Sequence, residues 1–161
     1  MQTPDVVHTG YICVVRPFAR SHAIGRLFLV TETGDGWCRG MLAGAETELA
    51  TEVDAVLAAD LTGLGYPVTV HTRYHGPIWL TQVAQRVGSV EPPVLHELER
   101  LSWSDRADVT LTRGLPLQPK GIDPRYPALE ALSDELDNLT DHCRRCRNEL
   151  HPPLPEPVSP T

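Results

Sequence analysis

The residues in this sequence whose types and spacing first suggest chemistry lie near its C-terminal end. Cys143 and Cys146 form a Cys-x-x-Cys pair, and His151 follows shortly after it. Thiolate sulfur and imidazole nitrogen at such spacings are ligands that Zn²⁺ prefers in proteins. A structural zinc site needs four ligands, however, and no further cysteine or histidine follows His151. The fragment therefore supplies an incomplete set of zinc ligands.

The same two cysteines also fit the apolar face of a helix. A predicted C-terminal helix begins with Asp123 as its N-cap and Pro124 in its first turn, and it runs to about residue 150. Its apolar residues are alternately three and four positions apart, which gives one apolar stripe. The stripe consists of Leu129, Leu132, Leu136, Leu139, Cys143, Cys146 and Leu150. We therefore predict that both cysteines are buried thiols without metal, as are Cys13 and Cys38 in predicted strands.

The stretch that organises the predicted fold is residues 45–74, which reads as a helix, a tight turn and a strand. The apolar face of this helix consists of Leu49, Val53, Val56, Leu57 and Leu61. Gly63 and Gly65 end the helix, and Pro67 prevents its continuation. The β-branched residues that follow predict a buried strand at 67–72.

The remaining elements follow from the same kinds of pattern. The other predicted strands are 10–15, 25–32, 37–42 and 108–112, and the other predicted helices are 78–87 and 92–101. Thr33-Gly34-Asp35-Gly36 is typical of a hairpin turn. These elements indicate a single domain at 1–150. The Pro-rich segment 151–161 cannot build a core, and we predict a disordered or polyproline-like tail.

The composition is that of an ordinary globular protein with an acidic balance. Of the 161 residues, 41% are hydrophobic and 22% are charged, and the formal net charge is −7. This charge argues against broad nonspecific binding to nucleic acids but leaves room for a local basic site. No apolar run reaches the roughly 18 residues of a membrane-spanning helix, and the first residues are not typical of a signal peptide. We therefore expect a cytoplasmic protein that has no membrane partner.

The order of the predicted elements is three strands, a helix, a strand, helices, a strand and a helix. This order, over roughly residues 10–147, resembles that of type 1 ribonuclease H. Two fragments add to the resemblance: Glu46-Thr47-Glu48-Leu49 opens the central helix, and Ser133-Asp134-Glu135-Leu136 lies in the C-terminal helix. The resemblance implies an α/β, ribonuclease-H-like fold whose five-stranded mixed sheet is flanked by helices. In that fold the fourth strand lies beside the first and parallel to it.

The resemblance also implies a chemistry. Ribonuclease H cleaves the RNA strand of an RNA–DNA hybrid with two Mg²⁺ ions, which carboxylates hold in place. Glu48 and Asp134 match the family's two helical carboxylates and would be the catalytic residues. Arg16 and Arg73, however, stand at strand ends where the family has aspartate. Because arginine stays protonated, the two remaining acids could not hold two Mg²⁺ ions, and we predict a site without metal or other cofactor.

These four residues predict a charge-paired site in place of the metal site. Arg16 and Arg73 would project from adjacent strand ends towards Glu48 and Asp134, since arginine can bind a carboxylate through two hydrogen bonds. If the acids point away, the arginines would instead bind an anion such as a backbone phosphate. The predicted binding residues are Arg16, Arg73, His71 and Lys120.

Three functions remain open at the level of sequence. The first, which we favour, is a non-catalytic ribonuclease-H-like domain that binds a nucleic acid, such as an RNA–DNA hybrid, or a protein partner. The second is a divergent, Mg²⁺-dependent ribonuclease H that uses Glu48 and Asp134. The third is a structural or assembly subunit that uses the fold for contacts alone. The identity of the partner and the oligomeric state do not follow from the sequence.

Overall fold

The computed structural model describes residues 6–19, 23–103 and 110–147. Within them the chain forms six strands, three α-helices and two short 3₁₀ helices. The strands are β1 (Tyr11–Val15), β2 (Arg26–Thr33), β3 (Trp37–Gly44), β4 (Ala55–Leu57), β5 (Val68–Trp79) and β6 (Val83–Ser89). The α-helices are α1 (Ala59–Thr62), α2 (Pro92–Trp103) and α3 (Tyr126–Cys146), and the 3₁₀ helices are Thr47–Leu49 and Leu80–Gln82. The predicted tail at 151–161 lies outside the described residues.

The strands form one sheet in the order β4-β5-β3-β2-β1-β6, and every neighbouring pair is antiparallel. The antiparallel β1, β2 and β3 confirm the prediction for the first three strands. The predicted mixed sheet and the ribonuclease-H-like fold are wrong, because β5 pairs with β3 and β4 rather than with β1. A parallel pair needs a long crossover, usually a helix, and the chain between β3 and β5 contains only short elements. Element order alone did not determine which strands pair.

The hairpin between β2 and β3 has the predicted turn. The Gly34 N–H donates to the Trp37 carbonyl oxygen at 2.9 Å, and Gly36 has a φ of 80°. A positive φ is easily adopted by glycine because it has no Cβ. The turn therefore fixes the register in which β2 and β3 pair.

The central helix predicted at 45–62 is replaced by the first 3₁₀ helix, β4 and α1. The Asp54 carboxylate accepts hydrogen bonds from the Thr51 backbone N–H (2.9 Å) and the Thr51 hydroxyl (3.2 Å). Such side-chain-to-backbone bonds compete with the hydrogen bonds of a helix. Pairing of β4 with β5 then buries Ala55 and Leu57 completely. The apolar residues of this stretch are therefore buried by strand pairing instead of by a helix face.

Two other predicted elements also differ from the structure. The helix predicted at 78–87 is wrong, because these residues complete β5, pass through the second 3₁₀ helix and enter β6. The β-branched Val83 and Val87 are well suited to a strand. The strand predicted at 108–112 lies partly outside the described residues, and its described part forms no strand. The Thr112 carbonyl oxygen nevertheless accepts a hydrogen bond from the Val56 N–H at 2.8 Å, beside β4.

Each face of the sheet carries a hydrophobic core that one long helix covers. Side chains alternate in direction along a strand, so Leu29 of β2 enters one core while Phe28 and Val30 enter the other. The helix α2, which confirms the prediction at 92–101, covers the first core through Leu98 and Leu101. The helix α3 covers the second core. Each face of the sheet is therefore covered, at least in part, by one of these two helices.

The stripe predicted for the C-terminal helix is confirmed for its first five members. Leu129, Leu132, Leu136, Leu139 and Cys143 are all buried. The predicted burial of Cys146 is wrong, because the last turn of α3 extends beyond the last buried position of the helix. The helix also begins at Tyr126 rather than at Pro124, and Leu150 lies outside the described residues.

The cysteines Cys13, Cys38 and Cys143 are buried free thiols, as predicted. Burial raises the pKa of Cys13 to about 11. Burial, together with the neighbouring Cys13 and Cys143, raises the pKa of Cys38 to about 12. Since the thiolate is the reactive form, the protonated thiols of Cys13 and Cys38 are core side chains rather than nucleophiles.

The strand β5 is paired on both sides only at its beginning. β4 pairs with residues 68–70, and among the described strands only β3 pairs with β5 beyond residue 70. The register of the β3–β5 pair shifts between Met41 and Leu42, which lie opposite His75 and His71, respectively. Residues 72–74 therefore form a three-residue bulge in β5, and this bulge presents Arg73 to solvent.

The burial of the α3 stripe can be tested with one pair of substitutions. Leu132 is 1% exposed, and Leu132→Ala should lower the free energy of unfolding by ~2–5 kcal/mol because it leaves a cavity. Leu115 is 77% exposed, and Leu115→Ala removes the same atoms at a cost below ~0.5 kcal/mol. Urea denaturation followed by circular dichroism measures both. Equal losses from the two substitutions would contradict the packing of α3 described here.

Candidate nucleic-acid interface

The charge-paired site predicted from Arg16, Arg73, Glu48 and Asp134 does not form. The prediction placed the two arginines on adjacent strand ends, but β3 and β2 lie between β5 and β1 in the sheet. Arg73 also lies in the bulge of β5 rather than at its end. Neither Glu48 nor Asp134 makes an ion pair with another of the described residues. The arrangement depended on a parallel pair of β1 and β5, which this sheet does not contain.

Three of these residues lie in separate surroundings. Arg16 follows β1, where its Nε donates to the Ala23 carbonyl oxygen at 3.1 Å and its own carbonyl oxygen accepts from the Gln82 amide at 3.0 Å. Glu48 is exposed in the first 3₁₀ helix, and Asp134 is exposed on α3. The catalytic roles of Glu48 and Asp134 were implied by the ribonuclease-H-like fold alone.

The other two predicted binding residues already have partners within the chain. His71 is 0% exposed, and its Nδ1 lies 3.3 Å from Oδ2 of Asp54, which is also buried. A ligand at the surface therefore cannot reach His71 in this structure. Lys120 is exposed, and its Nζ donates to Oε1 of Glu130 at 2.8 Å. That hydrogen bond raises the pKa of Lys120 above its ordinary value.

A different group of cations surrounds the bulge of β5. The positive charges of Arg39 in β3, Arg73 in β5 and Arg144 in α3 all lower the pKa of His75. We name these three arginines and His75 the β5 arginine cluster. Nη2 of Arg144 donates to the His75 carbonyl oxygen at 2.9 Å. Arg39 lies opposite Pro77 in the β3–β5 pair, two residues along the strand from His75. Cations from three different elements therefore meet at one stretch of β5.

The cluster disfavours any further positive charge. Partial burial of the imidazole lowers the pKa of His75, and Arg39, Arg144 and Arg73 lower it further. His75 is therefore neutral at neutral pH, whereas the arginines are charged. Glu32 contacts Arg39 at 3.7 Å, but Arg73 makes no ion pair with another of the residues that the structure describes. The cluster is a local positive patch on a chain whose net charge is −7.

A glycine in β5 allows α3 to bring Arg144 to the strand. A Cβ atom at Gly76 would lie 2.6 Å from Nη2 of Arg144 and 2.9 Å from Cγ2 of Thr140. A Cβ atom there would force the Arg144 and Thr140 side chains to move, so glycine lets both side chains of α3 lie directly against the strand. The close approach lets the Arg144 guanidinium reach the backbone of β5.

Aromatic side chains hold the last turn of α3 near the cluster. Trp37 and Trp79 lie opposite each other in the β3–β5 pair, and the Arg147 guanidinium stacks 3.5 Å from the centre of the Trp37 ring. Nε1 of Trp79 donates to Nδ1 of His142 at 2.8 Å. Cation–π stacking and this hydrogen bond anchor the helix on both tryptophans. They thereby fix the position of Arg144, which lies on the same part of α3.

Sequence reasoning singled out Arg73 alone as a binding residue of this cluster. Arg39 and Arg144 are far apart in the chain and belong to no local motif. One signal was available, since Gly76 interrupts a strand of bulky residues and glycine in a strand often marks a close approach. That signal does not reveal which element approaches or what charge it carries.

A cavity of about 620 Å³ lies between the first 3₁₀ helix and the loop at 113–125. Arg125 attaches this loop to the segment around Ala50. Its guanidinium donates to the Asp123 carboxylate (2.7 Å) and to the carbonyl oxygens of Ala50 (2.6 Å) and Leu115 (3.0 Å). The hydrogen bonds from Arg125 hold the pKa of Asp123 well below its usual range. The hydrogen bond to Asp123 in turn raises the pKa of Arg125. Sequence reasoning gave Asp123 a different role, as the N-cap of α3.

Within the described residues, no three His, Cys, Asp or Glu side chains come together in a group that could hold a metal ion. Sγ of Cys146 lies 3.8 Å from Nδ1 of His142, while His151 lies outside the described residues. The expectation that the protein uses no metal or other cofactor stays a prediction. None of the helices in the described part of the chain combines the length and apolar character that crossing a membrane requires.

Comparison with known proteins does not assign the chain to a family. No protein-family model matches it, and no curated protein matches it. The solved structures that resemble it include the Mycobacterium tuberculosis toxin MazF-mt6, with 13% sequence identity and a TM-score of 0.46. That match covers 58% of this chain and 95% of the toxin chain. A similarity of this degree carries no argument about function.

The ion pair of Asp123 and Arg125 in the cavity lining predicts a pH-dependent stability. Asp123→Asn should lower the melting temperature at pH 7, because it removes the carboxylate that Arg125 and the Gln118 N–H bind. The folded-state pKa of Asp123 is depressed, so its contribution is present above about pH 4 and is lost as the pH falls further. The melting temperatures of the wild-type and variant proteins should therefore approach each other below about pH 4.

The matched control for this experiment is Asp134→Asn. Asp134 is exposed and has no ion-pair partner among the described residues, so its replacement should leave the melting temperature nearly unchanged at every pH. Circular dichroism during heating provides the measurement. A deficit of the Asp123→Asn variant that stays constant from pH 7 into strong acid would show that the carboxylate charge is not its cause.

Proposed function

We propose that this protein is a non-catalytic nucleic-acid-binding module whose β5 arginine cluster contacts backbone phosphates. The observation that carries the proposal is the meeting of Arg39, Arg73 and Arg144 at one stretch of β5. A guanidinium group can donate two parallel hydrogen bonds to a phosphate, which makes arginine well suited to such contacts. Phosphate contacts set the position of a protein on a nucleic acid without reading its sequence.

The charge distribution supports a short-range interaction. A chain with a net charge of −7 is repelled by a polyanion at long range, although salt screens this repulsion beyond ~8 Å at physiological ionic strength. Within the cluster, by contrast, the guanidinium groups repel one another, and a bound phosphate would relieve that repulsion. The neutral imidazole of His75 adds hydrogen-bonding capacity without a further charge.

The strand arrangement leaves the cluster accessible. Beyond residue 70, β5 pairs with β3 alone among the described strands, so no strand covers its other edge beside Arg73. Backbone N–H groups at such an edge can also donate to phosphate oxygens. The bulge at 72–74 turns the Arg73 side chain out to solvent, where a flexible phosphodiester strand can reach it.

A protein partner is the alternative that stays open, since cations on an edge strand also prevent unwanted strand pairing. Nucleic acid is favoured because guanidinium groups from β3, β5 and α3 converge where edge protection would need only charges on β5 itself. Ribonuclease H activity is not part of the proposal, because the fold that implied it is not the fold of this chain.

The proposal is tested by measuring binding as a function of salt. Fluorescence anisotropy with labelled single-stranded RNA, duplex DNA and RNA–DNA hybrid provides dissociation constants. Arg73→Gln should weaken binding several-fold and should reduce the slope of log K against log salt by about 0.7–0.9, the contribution of one phosphate contact. The same protein samples should show unchanged circular dichroism, because Arg73 is exposed.

Arg100→Gln is the matched control for this experiment. It removes the same charge from α2, which packs on the other core of the sheet. Its salt slope should equal that of the wild-type protein. Equal losses from Arg73→Gln and Arg100→Gln would assign the binding to overall charge. Failure of the wild-type protein to bind any of the three probes at low salt would refute the proposal.

A further inference from the structure

We propose that the cavity beside the first 3₁₀ helix binds a small zwitterion, either an amino acid with an apolar side chain or a short peptide of such residues. The cavity has a volume of about 620 Å³ and lies between the first 3₁₀ helix and the loop at 113–125. Small-molecule sites in proteins commonly measure ~300–1,000 Å³. The cavity includes no residue of the β5 arginine cluster, so the proposal is independent of nucleic-acid binding.

The walls of the cavity favour a ligand with an apolar part. Apolar lining comes from Val56 of β4 and from loop residues that include Leu115, Pro116, Ile122 and Pro124. Leu115 is 77% exposed and Ile122 is 73% exposed. Large apolar side chains in contact with water carry an unfavourable hydration term, which a bound apolar group would reduce.

The charged lining of the cavity determines what else the ligand must carry. Asp123 and Arg125 are already paired with each other, so they offer no net charge to a ligand. Glu48 and Arg113 also line the cavity, and neither makes an ion pair or hydrogen bond with any described residue, including each other. The cavity therefore presents one available carboxylate and one available guanidinium.

A zwitterion is the ligand that satisfies both groups. Its carboxylate would accept hydrogen bonds from the Arg113 guanidinium, and its ammonium would donate to Glu48. A ligand with a single charge would engage only one of these two groups and would lack the second charge-assisted hydrogen bond. Singly charged analogues should therefore bind more weakly than a zwitterion.

The frame of the cavity is held in place before any ligand binds. Arg125 bonds the Ala50 carbonyl oxygen on one side and the Leu115 carbonyl oxygen on the other. The Gly114 N–H donates to the Thr51 carbonyl oxygen at 3.0 Å, and a Cβ atom at Gly114 would collide with the Ala50 carbonyl group. A site whose walls are already ordered loses less conformational entropy when a ligand binds.

Isothermal titration calorimetry with the full chain tests the proposal. The probes are L-leucine and L-leucyl-L-leucine, with 4-methylpentanoate and 3-methylbutylamine as analogues that lack the ammonium and the carboxylate, respectively. Binding of either zwitterion supports the proposal, and the comparison between them distinguishes a free amino acid from a peptide. Each singly charged analogue should bind at least about ten-fold more weakly than leucine. Binding of neither zwitterion would overturn the proposal.

Three substitutions locate the binding site. Glu48→Gln and Arg113→Gln should each weaken zwitterion binding by about ten-fold or more, because each removes one charge-assisted hydrogen bond. Lys120→Gln is the matched control: it changes a charge in the same loop, but Lys120 does not line the cavity and should leave affinity unchanged. Affinity unchanged by both Glu48→Gln and Arg113→Gln would place the ligand elsewhere and overturn the assignment. Nucleic-acid binding should be unaffected by either substitution.

Discussion

The pairing of β5 with β3 is the interaction on which most of this structure depends. On one side of its register shift, Val68 and Val70 enter the first core and β4 pairs with the same stretch. On the other side, α3 packs closely against Gly76. Because side chains alternate along a strand, a slip by one residue would exchange the two faces and expose both cores. The bulge at 72–74 accommodates the register shift between β3 and β5. The arginines of the β5 arginine cluster lie around the same bulge.

Hydrogen bonds from polar side chains fix the backbone in segments between the helices and strands. Asp54 binds Thr51 and lies beside the buried His71, although Oδ1 of Asp54 and Nε2 of His71 have no hydrogen-bond partner among the described residues. Asp123 and Arg125 form the second such group. Each group makes several hydrogen bonds to nearby residues, so it allows little freedom to the backbone around it. Together they position the two walls of the cavity, which belong to segments far apart in sequence.

Both candidate sites, the β5 arginine cluster and the cavity, contain arginines, but the charges around these arginines differ. In the β5 arginine cluster, like charges from β3, β5 and α3 lie together and lower the pKa of His75. In the cavity, by contrast, Arg125 is neutralised by Asp123, and Arg113 shares the lining with Glu48. A patch of one sign suits a polyanion, whereas a lining with both signs suits a ligand that carries both charges. The net charge of the chain, −7, reveals neither arrangement.

The sequence by itself determined the elements whose signals are local. The heptad-like stripe identified α3, short apolar segments identified β1, β2 and β3, and Asp35-Gly36 identified the turn between two of them. It did not determine the replacement of the central helix by β4 and α1, nor the strand pairs that define the fold. Apolar periodicity reports that a residue will be buried, but the partner that buries it is chosen by contacts distant in sequence. For the same reason the sequence pointed to Arg73, whereas only the tertiary structure brought Arg39 and Arg144 to it across the β3–β5 pair and the packing of α3.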